Sequence, residues 1–346
     1  MTQIPVDIIS GFLGAGKTTL IRKLLSDSYQ NQKIFLLENE YGQVGIDGAL
    51  LAKQDVEMKE IYSGCICCSL KGDFTRVLLE SLDQVKPQRI IIEPTGVGKL
   101  SEILSILEQK VFKDKLIVDH ILTVVDARKG LIYLKNFGEF FKDQLRHAQT
   151  LILSKTKGLD WQKIQELVQV LKPLNPNARW VTTPWEELAG SQILRANIPI
   201  ETFLTKGLSP LIKLPGIKRV CNCHEEMHHH HVPGCGCQQH SHSCSCDPSE
   251  QHGHNAAEVF HSWSWESPKE FNASSLQRIL SSFQENKKYG QVLRAKGIVP
   301  GNGEWLHFEY VSGDWDIAGG TPQLTGRAVV IGVNLKVEQL RLSFEE

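Results

Sequence analysis

The stretch Gly11-Phe12-Leu13-Gly14-Ala15-Gly16-Lys17-Thr18-Thr19 constrains this chain more than any other. It satisfies the phosphate-loop pattern G-x-x-x-x-G-K-[ST] without a mismatch. Val6-Asp7-Ile8-Ile9 before it reads as a short buried strand, and Leu20-Ile21-Arg22-Lys23-Leu24-Leu25 after it as an amphipathic helix. Each part has a physical task. Gly11, Gly14, Ala15 and Gly16 let backbone N–H groups turn toward an anion, and the helix N-terminus adds a favourable dipole. Lys17 supplies a point charge at the β- and γ-phosphates, and Thr18, followed by Thr19, offers Mg²⁺ a hydroxyl ligand. A glycine turn can join a strand to a helix by chance, but strand, loop, Lys, Thr and helix in this order point to a nucleotide site.

The 346 residues suit two or three domains. Hydrophobic residues make up 41%, enough for a sizeable core, and the net charge of −1 carries no general attraction for nucleic acid or an anionic membrane. Met1 to Pro5 runs straight into the first strand with no leader pattern, and no apolar run approaches a membrane span, so the expected location is the cytoplasm. Thiols stay reduced there. The nine Cys are unevenly placed, three between Cys65 and Cys68 and six between Cys221 and Cys246, and such clusters read as metal ligands before disulfides.

From the loop to about Thr182 the chain alternates strands and helices. Strands are expected at Lys33–Leu37, Val56–Tyr62 (an edge), Arg89–Glu93, Ile117–Asp126, Thr150–Leu153 and Arg179–Thr182. Helices are expected near 70–85, 101–110, 139–148 and 161–171, the last capped by Asp160. This is an α/β, doubly wound, mostly parallel sheet. Beyond a Cys/His-rich segment the expectation is a small α+β domain with an antiparallel sheet. Its strands are Val259–Trp265, Val292–Val299, Glu304–Val311 and Arg327–Val333, and its helix is Asn272–Asn286. The domains expected are 1–205, a linker at 206–256, and 257–346. Trp263, Trp265, Trp305 and Trp315 read as core or sheet-face packing, with an exposed subset as a client surface the alternative.

Glu93-Pro94-Thr95-Gly96 ends a buried strand beside the phosphate loop. Glu93 can hold Mg²⁺ through water or orient an attacking water, and Gly96 lets a backbone N–H approach the γ-phosphate. In Gly64-Cys65-Ile66-Cys67-Cys68, an extended backbone turns Cys65 and Cys67 to the same side. Three sulfurs leave one place open on a tetrahedral zinc, for Glu38, Glu40 or water. The linker supplies Cys221, Cys223, His224, His228, His229, His230, His231, Cys235, Cys237, His240, His242, Cys244, Cys246, His252 and His254. No zinc-finger spacing appears among them, so the segment reads as a pliable capture arm, disordered without a ligand. Zn²⁺, Cu⁺, Ni²⁺ and Co²⁺ all accept such donors.

Taken together, Gly11 to Thr19, Glu38-Asn39-Glu40-Tyr41-Gly42, the Cys-x-Cys-Cys run, Glu93 to Gly96, Val124-Val125-Asp126-Ala127, the His-rich linker and Val292-Leu293-Arg294-Ala295-Lys296-Gly297 resemble the CobW-type P-loop GTPases, relatives of UreG and HypB. The resemblance covers nearly the whole chain. It implies a P-loop GTPase domain with a CobW-like C-terminal domain. It also implies a GTP-dependent metallochaperone that uses Mg²⁺ with GTP or GDP and carries Zn²⁺, or Co²⁺ or Ni²⁺, to a client metalloprotein. By the same resemblance Lys17 and Glu93 act in hydrolysis, Cys65, Cys67 and Cys68 form the internal metal site with Glu38 as a further ligand, and Ser154 and Lys155 belong to the base-reading motif.

Two departures stand out. Gln43 occupies a place where the family often has an acidic residue. In the base-reading motif N-K-x-D, the strand Thr150–Leu153 is followed by Ser154-Lys155-Thr156-Lys157, and Lys157 is donor-only where an acceptor is required. Asp160 reads as a helix cap in preference to a relocated base acceptor. The other classes are a passive metal buffer, a cobalt-handling factor of cobalamin biosynthesis, and a P-loop small-molecule kinase. The kinase has no need of the thiols and no identifiable acceptor lid. Client and oligomeric state have no sequence signature here.

Overall fold

The computed structural model describes residues 3–40, 56–62, 69–194, 256–320 and 325–345. The expectations for Cys65, Cys67, Cys68, Gln43 and the linker residues Cys221 to His254 lie outside them.

The N-terminal unit is built on a seven-stranded sheet in the order β3-β2-β4-β1-β5-β6-β7. Its strands are β1 (Ile4–Gly11), β2 (Ile34–Glu40), β3 (Val56–Tyr62), β4 (Arg89–Glu93), β5 (Leu116–Asp126), β6 (Thr150–Ser154) and β7 (Arg179–Val181). All pairings are parallel. The helices between them are α1 (Lys17–Asp27), α2 (Ser69–Gln84), α3 (Leu100–Leu107), α4 (Gly130–Asn136), α5 (Gly138–Arg146), α6 (Trp161–Leu171) and α7 (Gly190–Leu194). A parallel sheet covered on both faces needs continuous apolar strands, and Val6, Ile8 and Ile9 of β1 are fully buried. The two-residue period sorts them. Val6 and Ile8 face Phe74, Leu78, Ile103 and Leu104 of α2 and α3. Ile9 faces Leu20, Ile21 and Leu24 of α1. Asp160 caps α6, its side chain accepting the Gln162 N–H at 3.1 Å.

The C-terminal unit opens with α8 (Ala256–Val259) and β8 (His261–Ser267), followed by α9 (Ala273–Ser282) and α10 (Asn286–Tyr289). Then come β9 (Gln291–Pro300), β10 (Trp305–Val311), β11 (Asp314–Gly320), β12 (Gly326–Val333) and α11 (Val337–Glu345). Its five-stranded sheet, ordered β11-β10-β9-β12-β8, is antiparallel. One face packs Ala295, Val299, Ala328 and Val330 on Leu276, Leu280, Phe283, Leu340 and Phe344. The other turns Leu293, Val329 and Ile331 into a cluster shared with Phe12, Phe137, Phe140 and Leu167 of the N-terminal unit. Trp265 is buried, and Trp263 and Trp315 pack at the margin of the C-terminal core.

Several elements differ from expectation. Helix α4 lies where none is expected. The single helix expected over Asn272–Asn286 is two, because the chain turns at Phe283 to bury Tyr289 as well. Strand β8 begins at His261, since Val259 closes α8. Strand β11 and helix α11 are additional. No helix among the described residues is long and apolar enough to cross a membrane.

Candidate nucleotide site

Strand β1 delivers its last residue into the phosphate loop at Gly11. A Cβ there would lie 2.4 Å from the Val124 carbonyl oxygen, and φ is +145°. Both facts require glycine. Gly14 and Gly16 also take positive φ, and Gly16 caps α1 by backbone alone. The first turn of α1 therefore presents backbone N–H groups that have no partner within the helix, with its positive dipole end alongside. The indole of Trp185 packs on Gly16, 3.4 Å from where its Cβ would stand. Ala15 is buried, and Thr19 faces solvent.

Lys17, first in α1, is buried with its Nζ 3.8 Å from a Glu93 oxygen. The Thr18 hydroxyl lies 3.2 and 3.3 Å from the two Glu93 oxygens. A hydroxyl beside a carboxylate is a hard-oxygen donor set of the kind Mg²⁺ takes. Two more buried oxygens at this edge of the sheet, Asn39 Oδ1 and Thr95 Oγ1, have no hydrogen-bond partner among the described residues. The donor set thus fits a hydrated cation. The loop after β4 lies directly on the phosphate loop: a Cβ on Gly96 would be 2.8 Å from the Leu13 nitrogen. Gln144 on α5 fixes that loop by donating to the carbonyls of Gly96 at 3.1 Å and Gly98 at 2.9 Å. Glu38, also buried, is the register partner of Glu93 on one side and of Glu60 on the other.

At the end of β6 the Ser154 hydroxyl donates to the Val125 carbonyl at 3.3 Å. Lys155 adopts φ +55° and reaches Asp126 with its ammonium at 3.0 Å. Arg128 donates to the carbonyls of Lys155 at 3.3 Å and Lys157 at 3.1 Å, lacing this loop to the end of β5. Asp160 is engaged as the α6 cap. Sequence reasoning passed over Gln144, Arg128, Lys129 and Trp185. The available signal was adjacency, since Arg128 and Lys129 directly follow the Val124-Val125-Asp126-Ala127 run.

A second polar cluster lies toward the amino ends of the strands. Asp7, fully buried, accepts from Arg89 at 2.8 Å, from the Tyr29 hydroxyl, and pairs with His120 Nδ1 at 2.8 Å; Arg89 also bridges to Asp119 at 2.9 Å. Burial alone would lower the His120 pKa, but the hydrogen bond and charge of Asp7, with Asp119, outweigh it and raise it. Burial beside Asp7 pushes the Tyr29 hydroxyl upward. Asp7, Asp119 and His120 could gather round a cation, but the Arg89 guanidinium already fills that role.

Residues 5–182 match the family model described as CobW/HypB/UreG, nucleotide-binding domain, and residues 260–346 match the cobalamin synthesis protein CobW C-terminal domain. The chain is 42% identical over 151 residues to the zinc chaperone YeiR of Escherichia coli, covering 43% of this chain and 46% of that one. It is 32% identical over 162 residues to the zinc chaperone YjiA of the same organism, covering 45% and 50%. It is 30% identical over 200 residues to the zinc-regulated GTPase metalloprotein activator 1 of Schizosaccharomyces pombe, covering 54% and 47%. The chain thus spans about half the length of each of these curated relatives. With a phosphate loop so built, and a family model matched from β1 through β7, the chain belongs to the CobW/HypB/UreG family of nucleotide-binding proteins.

Proposed function

We propose that the protein is a GTP-hydrolysing metallochaperone that binds zinc and passes it to a client metalloprotein, with metal affinity set by the nucleotide. Phosphoryl transfer demands positioning and charge stabilisation more than covalent chemistry. In this reading the phosphate-loop N–H groups and Lys17 cradle the phosphates. Thr18, and Glu93 through water, are the residues that would hold Mg²⁺, whose charge neutralises the β- and γ-oxygens. Glu93 also orients the attacking water. Cys65, Cys67 and Cys68 hold the zinc with Glu38, and the donors from Cys221 to His254 capture it first. The names of the relatives support zinc over cobalt or nickel.

The observation that carries this reading is a strand register. Glu38 of β2 is partnered with Glu93 of β4, and Glu40 with Tyr62, the last residue of β3. Cys65 follows Tyr62 by three residues, a reach of at most about 10 Å. The end of β3, from which the chain runs on to Cys65, lies against β2, the strand that carries Glu38, and this supports the reading. The test is zinc affinity, measured by competition with a chromophoric chelator in the presence of Mg²⁺ and either GDP or a non-hydrolysable GTP analogue. A difference of about fivefold or more, as two-site coupling typically gives, and its loss in Cys67→Ala, are expected. Equal affinities in both states would leave a passive zinc buffer.

A further inference from the structure

The turn between β10 and β11 reaches into the nucleotide site. Ser312 and Gly313 both take positive φ, +44° and +103°, as in the two-residue hairpin turns that match strand twist. Val311 and Asp314 close the pair. Val311 rests on the phosphate loop: a Cβ on Gly14 would stand 2.4 Å from its Cγ1 and 2.6 Å from its Cγ2. Gly14 is therefore glycine on two counts, its φ of +62° and the approach of a side chain from a different sheet.

Lys129 holds the same turn from the other side. Its ammonium donates to the Val311 carbonyl at 2.6 Å and pairs with the Asp314 carboxylate at 2.7 Å. The hydrogen bond and charge of Lys129 hold Asp314 below the usual carboxylate range, with Lys155 and Arg128 adding to the effect. Lys129 is itself fixed, because Asp126 Oδ1 accepts the backbone N–H groups of Arg128 at 2.8 Å and Lys129 at 3.3 Å. Asp126 and Arg128 also tie down Lys155 and Lys157. One hairpin tip thus touches the phosphate loop directly and the loop after β6 through Lys129.

We propose that Val311, Asp314 and Lys129 are positioning residues of the nucleotide site, so that nucleotide binding and the seating of the C-terminal sheet are energetically linked. The proposal rests on the nucleotide-binding reading and adds its regulation. A partner that pulls on the C-terminal sheet withdraws Val311 from Gly14 and loosens the nucleotide. By reciprocity, nucleotide tightens the hairpin.

The experiment uses the full chain and GDP with Mg²⁺ as probe. Hydrogen exchange is followed in peptides covering Gly11–Thr18 and Val311–Asp314, and release of a fluorescent GDP is timed in parallel. In the wild type, GDP slows exchange in both peptides. In Val311→Ala and Lys129→Met, GDP leaves at least fivefold faster and no longer protects the hairpin, while still protecting the phosphate loop; Val311→Ile restores both. Two results would overturn the link: a wild-type hairpin indifferent to GDP while the phosphate loop is protected, or wild-type release rates in both folded variants. Absence of GDP protection at the phosphate loop would instead sink the nucleotide reading beneath it. The wild-type comparison stands even where a variant does not fold.

Discussion

Lys17 is buried, and its ammonium lies beside a carboxylate that is buried as well. In the proposed reaction it moves onto the transferred phosphate, where charge develops. Removing one preorganised donor from such a site costs about 10²–10³ in rate. Lys17→Ala should therefore lower single-turnover GTP hydrolysis by that order while far-ultraviolet dichroism stays native; unchanged turnover would remove Lys17 from the site. The glycines and Lys17 were legible because they form one contiguous run, in which Gly11, Gly14 and Gly16 take the positive φ that a phosphate loop requires and Lys17 follows at fixed spacing. The roles of Arg128 and Lys129 were not. Their partners, Lys155, Lys157 and Val311, lie far along the chain, and no local spacing encodes them.

Most elements with a long buried face could be read, whereas the short α4, the edge strand β11 and α11, whose buried residues are Leu340 and Phe344, were not. Strand β4 is an apolar run closed by Glu93, and Asn272 announces α9 by capping it through the Ser275 N–H. Strand β11 is glycine-ended and lies at the sheet edge, and its alternation is confined to two partly buried apolar residues, Trp315 and Ile317. Ser312-Gly313 before it was a further signal, that of a two-residue hairpin turn. Helix α4 spans seven residues, and Gly130 hides its start; a Cβ there would come within 3.1 Å of Leu167 on α6. The amino halves of β1, β4 and β5 carry a different lesson, in Asp7, Arg89, Asp119 and His120, with Tyr29 over them. Because the folded His120 pKa is raised, its contribution to stability is complete below the unfolded value of 6.5 and is lost as pH rises through the folded value. Urea midpoints of the wild type should fall from pH 6.5 upward relative to those of His120→Gln, whose amide cannot titrate. Parallel curves would show that His120 does not titrate with folding.

At the scale of the molecule, the two sheets share a core. Phe260, fully buried, meets Phe12 of the phosphate loop at 6.3 Å between ring centroids, Phe137 at 5.6 Å and Phe140 at 5.1 Å. Leu293, Val329 and Ile331 join them. A core that crosses from one unit to the other should make them unfold together. The wild type is expected to show one calorimetric transition. Phe260→Ala, at a cost of about 3–5 kcal/mol, should lower it or split it in two. Two separated transitions in the wild type would mean that this core does not couple the units.

Trp185 gives the phosphate loop an optical signal of its own. Its indole is buried against Gly16, at the point where α1 begins and an anion would enter. Tryptophan emission follows the field and polarity around the ring, so occupancy of the loop becomes visible as a change in intrinsic fluorescence. The other six tryptophans contribute a background, which Trp185→Phe isolates by subtraction. Binding can then be followed in the unlabelled protein, in real time, with no chemical tag near the phosphates.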